Sequence, residues 1–499
     1  MKAVILAIDQ GTTGSTALLV DRRGHVLAKG YAELPQHFPH PGWVEHRPDQ
    51  ILSVTRQAIA QALRISRLLP SAIAAIGITN QRETSLLWDR RTSRPIANAI
   101  VWQCRRTSAL CEQLKAAGHL PRVRRKTGLV LDAYFSGTKV RWLLDHIPGA
   151  RRRAARAELA FGTVDSWLLW NLTGGASHAT DLTNASRTLL YNIRSRRWDA
   201  SLLRLFGVPG SLLPKVLEPQ AHFGHTAGTL GLPKGIPITG IAGDQQAAMV
   251  GHGCLKAGTA KNTYGTGCFL LQHTGSRAHI SRSGLLTTLV AGLNGSGYAL
   301  EGSVFIAGAA IQWLRDGLRV INKASETEAL ARQVPDTGGV YVVPAFVGLG
   351  APYWDMQARG AIVGITRGTT REVIVRATLE ALAFQTRDVV DAMQRDSGLA
   401  LHELRVDGGA AQNDWLMQFQ ADVLGIPILR PAMVENTSRG AALLAGCGLG
   451  WWRARDIVSM VESRMRIFKP RMSEQERSRR YSGWQAAVGQ VLTQHRKRS

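Results

Sequence analysis

The stretch Leu6-Ala7-Ile8-Asp9-Gln10-Gly11-Thr12-Thr13-Gly14-Ser15-Thr16 limits what this chain can fold into more than any other segment. Residues 4–8 form an apolar run of strand length that stops at a carboxylate. Gly11 and Gly14 let the backbone turn tightly and bring its N–H groups close to a bound group. The hydroxyls of Thr12, Thr13, Ser15 and Thr16 suit phosphate oxygens, and Asp9 at the strand tip suits a hydrated Mg²⁺. The apolar run 17–20 follows, so the unit reads strand, phosphate turn, strand. A P-loop would instead need a Gly-Lys-Ser/Thr end and a helix. An ordinary glycine-containing hairpin shows the same pattern, so the motif alone leaves both readings open.

A chain of 499 residues points to two domains of about 250 residues each. Strand and helix patterns alternate along it, as in layered α/β domains. Residues 73–79 predict a strand, 80–83 a turn, and 84–88 a second strand. Residues 236–241 predict a strand ending at Gly240 and Gly243, with a helix beginning at Asp244. A boundary there gives domains 1–248 and 249–499. Residues 260–271 repeat the opening theme, with Gly265-Thr266-Gly267 between two apolar strands. Two such turns suggest related halves facing one another across a nucleotide. Val375, Leu379, Leu382, Val389 and Met393 recur at helical spacing, with Thr369 and Glu372 as a capping box and Gly398 as a stop.

The formal net charge is +25, with arginine supplying 49 of 61 basic residues. Arginine attracts phosphates, yet these residues are scattered, and the cluster 151–156 has the pattern of a solvated helix face. Zinc-finger spacing, aromatic RNA-binding stretches and a uniformly basic recognition helix are missing, which argues against nucleic acid as a partner. Five cysteines without a CxxC pair argue against disulfides and zinc, and for a reducing cytoplasm. The first apolar run is too short for a signal peptide, and residues 441–452 fall short of the ~20 needed to span a membrane. The basic tail 495–499 reads as a frayed end.

Further constellations point to a nucleotide. Residues 404–407 run into Gly408-Gly409 and then a helix bearing Asn413. Glycines at such a turn admit a flat base or sugar, and Asn413 can hydrogen-bond it. Gly308 and Gln312, at i and i+4, share one face of an apolar helix. Asp244 follows a glycine at a helix start, where the helix dipole favours its ionised form. There it could take a proton from an attacking hydroxyl, although an N-capping aspartate explains the position equally well. Arg82 and Glu83, usually an exposed pair in such a turn, could join Asp244, Trp102, Tyr134 and Phe269 in a small polyol pocket.

At these residues the chain resembles the glycerol kinases of the FGGY carbohydrate kinase family. The likeness runs from residue 5 to about residue 484. It is carried by Pro41-Gly42-Trp43-Val44-Glu45-His46, by Gly77-Ile78-Thr79-Asn80-Gln81-Arg82-Glu83-Thr84, and by the segments 98–106 and 134–140. Gly240-Ile241-Ala242-Gly243-Asp244-Gln245-Gln246-Ala247 and the segment 262–269 complete it. The resemblance implies an α/β fold of two ribonuclease H-like domains, of the actin/hexokinase type, around a central cleft. It implies phosphorylation of glycerol by ATP, giving sn-glycerol 3-phosphate in glycerol catabolism. Arg82, Glu83, Trp102, Tyr134, Asp244, Gln245 and Phe269 would surround glycerol, with Asp244 as general base. Asp9 would hold Mg²⁺ through water. Thr12, Thr13, Gly14 and Thr266 would contact phosphates, and Gly308, Gln312, Gly409 and Asn413 the adenosine. Relatives of this kind are cytoplasmic and form dimers or tetramers.

Three positions depart from the family pattern. Thr16 stands where a basic residue usually follows the first phosphate turn. Val373 replaces a polar residue and is expected at the surface. Residues 231–236 lack the arginine through which regulated relatives bind fructose 1,6-bisphosphate, so that inhibition is not expected. Competing readings are another polyol or sugar kinase of the family, a catalytically weakened regulatory relative, and an actin- or chaperone-like ATPase.

Overall fold

Strand β1 (Val4–Gln10) is buried along almost its whole length, as its unbroken apolar run requires. The computed structural model, which describes residues 3–293, 297–432, 435–462 and 465–493, builds the first sheet around it. β2 (Gly14–Asp21) returns antiparallel to β1 and pairs with β3 (Val26–Glu33). On the other side β4 (Ile73–Asn80) lies parallel to β1, and β6 (Lys234–Gly243) lies parallel to β4. β5 (Gly224–Ala227) closes the edge antiparallel to β6. The order is β5–β6–β4–β1–β2–β3.

A second sheet contains the run β9–β8–β7–β10–β11–β12, formed by Tyr298–Val304, Cys268–Gly275, Ala260–Tyr264, Leu404–Asp407, Ile428–Pro431 and Met465–Phe468. Here β7 pairs antiparallel with β8 and parallel with β10, β10 parallel with β11, and β11 antiparallel with β12. The first sheet has the same succession: a hairpin, two parallel neighbours and an antiparallel edge. The echo heard between residues 9–16 and 260–271 is therefore one of topology, and each glycine turn joins the first two strands of its own sheet. The sheets differ in that β5 precedes its neighbour whereas β12 follows, and in that the second sheet has one further strand, Leu286–Leu289, beyond β9.

The chain separates into two compact units, one comprising Met1–Leu255, Thr287–Tyr298 and Glu435–Val461, the other Lys256–Leu286, Ala299–Val434 and Glu462–Ser499. In the first unit, helix Asn436–Gly448 lies directly against the sheet. A Cβ on Gly77 would sit 2.2 Å from the Ala441 carbonyl oxygen, and one on Gly240 would sit 2.5 Å from the Ala445 nitrogen. Glycine at these two strand positions is what lets the helix approach.

In the second unit the expected buried helix spans Arg371–Ser397 and stops at Gly398, whose φ of +69° makes it the C-cap. Its N-cap is Thr370, not Thr369, whose hydroxyl instead accepts the Thr366 N–H at 2.9 Å. Val373 is half-buried against Val340, Val342 and Ala377, so it is a packing residue rather than a surface change. No described helix is long and apolar enough to cross a membrane. The tail 495–499 lies outside the described residues.

Candidate active site

Arg82 and Glu83 follow β4, and the exposure common for such a turn pair does not hold here. Their side chains are 2% and 1% exposed. Arg82 Nε lies 3.1 Å from Asp244 Oδ1 and 3.9 Å from Glu83 Oε1, so one guanidinium serves two carboxylates. Asp244 is the first residue of helix Asp244–Gly251, and Gly243 before it is the N-cap. The carboxylate is therefore not an N-cap; it accepts the adjacent Gln245 N–H at 2.6 Å and remains 30% exposed. A Cβ on Gly243 would sit 2.7 Å from Arg82 Cγ, so glycine there admits the arginine stem beside the helix start. Gly243 N–H donates to Thr183 Oγ1 at 2.9 Å, which fixes the backbone that carries Asp244.

Trp102 and Tyr134, both half-buried, meet edge to face with ring centroids 5.5 Å apart. The Trp102 indole N–H donates to Thr12 Oγ1 at 2.9 Å, tying this aromatic pair to the first phosphate turn. Gln245 is buried one residue after Asp244. The first unit thus brings together Arg82, Glu83, Trp102, Tyr134, Asp244, Gln245 and Thr12. Phe269 lies on β8 of the second unit, opposite Thr263.

In the first turn, Gly11 N–H donates to the Gly14 carbonyl at 2.9 Å, and Thr13 is exposed. A Cβ on Gly14 would press 2.6 Å from the Tyr31 ring. Asp9 stands opposite Thr16 in the β1–β2 ladder, so the two side chains share a face. Ser438 Oγ donates to Asp9 Oδ2 at 2.8 Å. Desolvation by surrounding protein pushes the Asp9 carboxyl up to about 7, the Ser438 hydrogen bond opposes this, and Asp244 and Glu435 add to it. A carboxylate so placed has one neutral donor, two acidic neighbours and the more weakly acting Lys29, a setting in which a bound cation would offset the acidic neighbours. Among the described residues no cluster of three His, Cys, Asp or Glu forms a ready-made metal cage.

The second unit contains a cavity of about 460 Å³ lined by Thr266, Gly308, Gln312, Gly409 and Asn413, together with Arg315 and Glu328. Five residues drawn from three stretches of sequence therefore converge on one space. Gly308 N–H donates to the Gly265 carbonyl at 2.9 Å, and a Cβ there would lie 2.6 Å from that oxygen. Gly308 is consequently the seat of the second turn. Gly409 differs, since a Cβ there would meet nothing within 4 Å. Asn413 is the N-cap of helix Asp414–Leu424 rather than part of its body; Oδ1 accepts the Leu416 N–H at 2.9 Å and Nδ2 donates to Thr327 Oγ1 at 3.2 Å.

Local pattern gave no sign of Arg187, Lys139 or Ser438. Arg187 and Lys139 are fully buried, and all three touch the residues above. For Arg187 the sequence offers only its place at the end of the polar run 181–187, which the structure buries throughout.

Residues 4–251 match the N-terminal domain of the FGGY family of carbohydrate kinases, and residues 260–449 match its C-terminal domain. A glycerol kinase of Stenotrophomonas maltophilia (strain K279a) is 56% identical over 492 residues, covering 98% of this chain and 99% of that protein. Glycerol kinase 2 of Thermotoga maritima is 54% identical over 489 residues, covering 98% of each. The crystal structure of Plasmodium falciparum glycerol kinase with ADP superposes with a TM-score of 0.93 at 36% identity, covering 98% of each chain. A xylulose kinase from Lactobacillus acidophilus shares the fold, with a TM-score of 0.89 at 21% identity over the whole of both chains. With repeated sheet topology, two matched domains and relatives more than half identical from end to end, the chain belongs to the FGGY family of carbohydrate kinases.

Proposed function

We propose that this chain phosphorylates glycerol with ATP, giving sn-glycerol 3-phosphate and ADP. The observation that carries the reading is the first-unit constellation in which Arg82 links partly exposed Asp244 to buried Glu83 beside the Trp102–Tyr134 pair. The full-length identity to glycerol kinases supports glycerol over the larger acceptors of other family members.

Asp244 takes the proton of a terminal hydroxyl as that oxygen attacks the γ-phosphorus; the γ-phosphoryl group passes to glycerol, and the bond to the ADP oxygen breaks. Phosphoryl transfer proceeds through a loose transition state, so the base chiefly orients the nucleophile. Arg82, 3.1 Å away, aims the Asp244 carboxylate. Glu83 accepts from acceptor hydroxyls, while Trp102, Tyr134 and Phe269 cover C–H edges and Gln245 adds a polar contact. Such a pocket rejects analogues lacking a hydroxyl by ~10⁴ or more. Thr12, Thr13, Gly14 and Thr266 contact phosphate oxygens, and Gly308, Gln312, Gly409 and Asn413 border the nucleoside. Asp9 would hold Mg²⁺, which would supply neutralisation of phosphate charge. The five cysteines form no disulfide, which accords with work in the cytoplasm.

A coupled assay with glycerol, xylulose and no acceptor tests the reading. Turnover with glycerol alone is expected, and Asp244→Asn should lower kcat by ~10²–10⁴ with little change in glycerol KM. No glycerol-dependent ADP release, or full activity in the asparagine variant, overturns it.

A further inference from the structure

Behind the acceptor residues lies an arginine that the reaction above does not use. The Arg187 side chain is 0% exposed, and its Nε lies 2.5 Å from Glu83 Oε1. Its guanidinium sits over two rings, 5.5 Å from the Tyr134 centroid and 5.2 Å from that of Phe135. This differs from a surface ion pair. Both partners are out of water, and removing one leaves the other as an uncompensated buried charge.

Arg82 approaches Glu83 less closely: its Nε is 3.9 Å from Glu83 Oε1 and 3.1 Å from Asp244 Oδ1, so of the two arginines Arg187 makes the shorter contact with Glu83. The backbone at Glu83 is also constrained. Its φ of +63° is left-handed, a conformation that a glutamate holds only when its surroundings fix it. Those surroundings include Ser85 Oγ, Ser136 Oγ and Lys139 Nζ, which donate to the Glu83 carbonyl at 2.8, 3.1 and 3.2 Å. Lys139 Nζ donates to the Tyr134 carbonyl as well, at 2.6 Å. Main chain and side chain of Glu83 are therefore held by separate groups, and Arg187 joins the Glu83 side chain to the Tyr134 ring.

We propose that Arg187 is a positioning residue that sets acceptor specificity: by clamping Glu83 Oε1 and backing the Tyr134 ring, it fixes the direction in which Glu83 accepts from acceptor hydroxyls. The proposal rests on the glycerol kinase reading. A planar guanidinium can pair with a carboxylate and lie on a ring at once, whereas an ammonium supplies the charge alone. Arg187 thereby favours an acceptor with its full set of hydroxyls over a deoxy analogue.

The test compares wild type, Arg187→Met and Arg187→Lys on glycerol and on propane-1,2-diol, with ATP KM and melting temperature measured alongside. In Arg187→Met, glycerol KM should rise about tenfold or more and the preference for glycerol over the diol should fall by about tenfold or more, with ATP KM within about twofold of wild type. Arg187→Lys should recover part of that preference. Unchanged preference in the folded variants overturns the proposal, as does a parallel loss in glycerol, diol and ATP parameters. Failure of both variants to fold also overturns it, since Arg187 would then be structural only. A wild-type enzyme that leaves glycerol unphosphorylated overturns instead the reading on which the proposal stands.

Discussion

Asp9 shows how much one side chain owes to its surroundings. Its carboxyl is pushed up to about 7, chiefly because protein atoms displace water around it and further by the charges of Asp244 and Glu435, with Ser438 and Lys29 acting the other way. Between its ordinary value of 3.8 and about 7 the folded protein binds a proton that the unfolded chain has released. Stability therefore falls as pH rises through that window. Asp9→Asn should raise the melting temperature at pH 8 and leave it nearly unchanged at pH 4, while removing most activity. The same titration sets a proton against the metal. Below pH 7, the Mg²⁺ concentration giving half-maximal rate should rise by up to about tenfold per pH unit, which a magnesium titration at pH 6, 7 and 8 measures. Thr16, directly across the ladder, places a hydroxyl where a cation would have pulled the Asp9 carboxyl back down.

At the scale of elements, two glycines that look alike in the sequence carry different loads. Gly308 opens a short helix whose first N–H rests on the Gly265 carbonyl, and a Cβ would lie 2.6 Å from that oxygen. Gly409 faces open space on the same cavity. Gly308→Ala should lower the melting temperature and raise ATP KM together, because it displaces the second turn. Gly409→Ala should leave the melting temperature within about 1 °C and still raise ATP KM several-fold, because the added methyl meets only the ligand. Thermal melts with ATP titrations separate the two cases. Unchanged ATP KM in Gly409→Ala would mean that no ligand occupies that space. Asn413 adds a different lesson. It was legible as a polar residue near the glycines, yet much of its hydrogen-bonding capacity caps the helix it precedes.

On the scale of the whole molecule, the first unit is not a continuous piece of chain. Helix Asn436–Gly448 completes its sheet, and Gly77, Gly240 and Gly251 are shaped to receive it. A fragment ending at residue 255 should expose that apolar sheet face, bind a hydrophobic dye and melt without cooperativity. Adding residues 435–461 through a flexible linker should restore a cooperative transition by circular dichroism. A cooperative melt in the shorter fragment would show that the late helix is dispensable.

The sequence by itself determined the local pieces: strands from apolar runs, the two glycine turns, the helix that ends at Gly398 and the aspartate at a helix start. These depend on neighbours within a few positions, where side-chain period and backbone sterics suffice. It also exposed the repeat, since both turns recur in the same strand context. Only the tertiary structure decided which distant side chains share an environment. Glu83 and Arg187 are separated by 104 positions, and Asp9 and Ser438 by 429. Burial, charge pairing and the titration of a carboxyl depend on what lies within a few ångströms, and no local pattern encodes that.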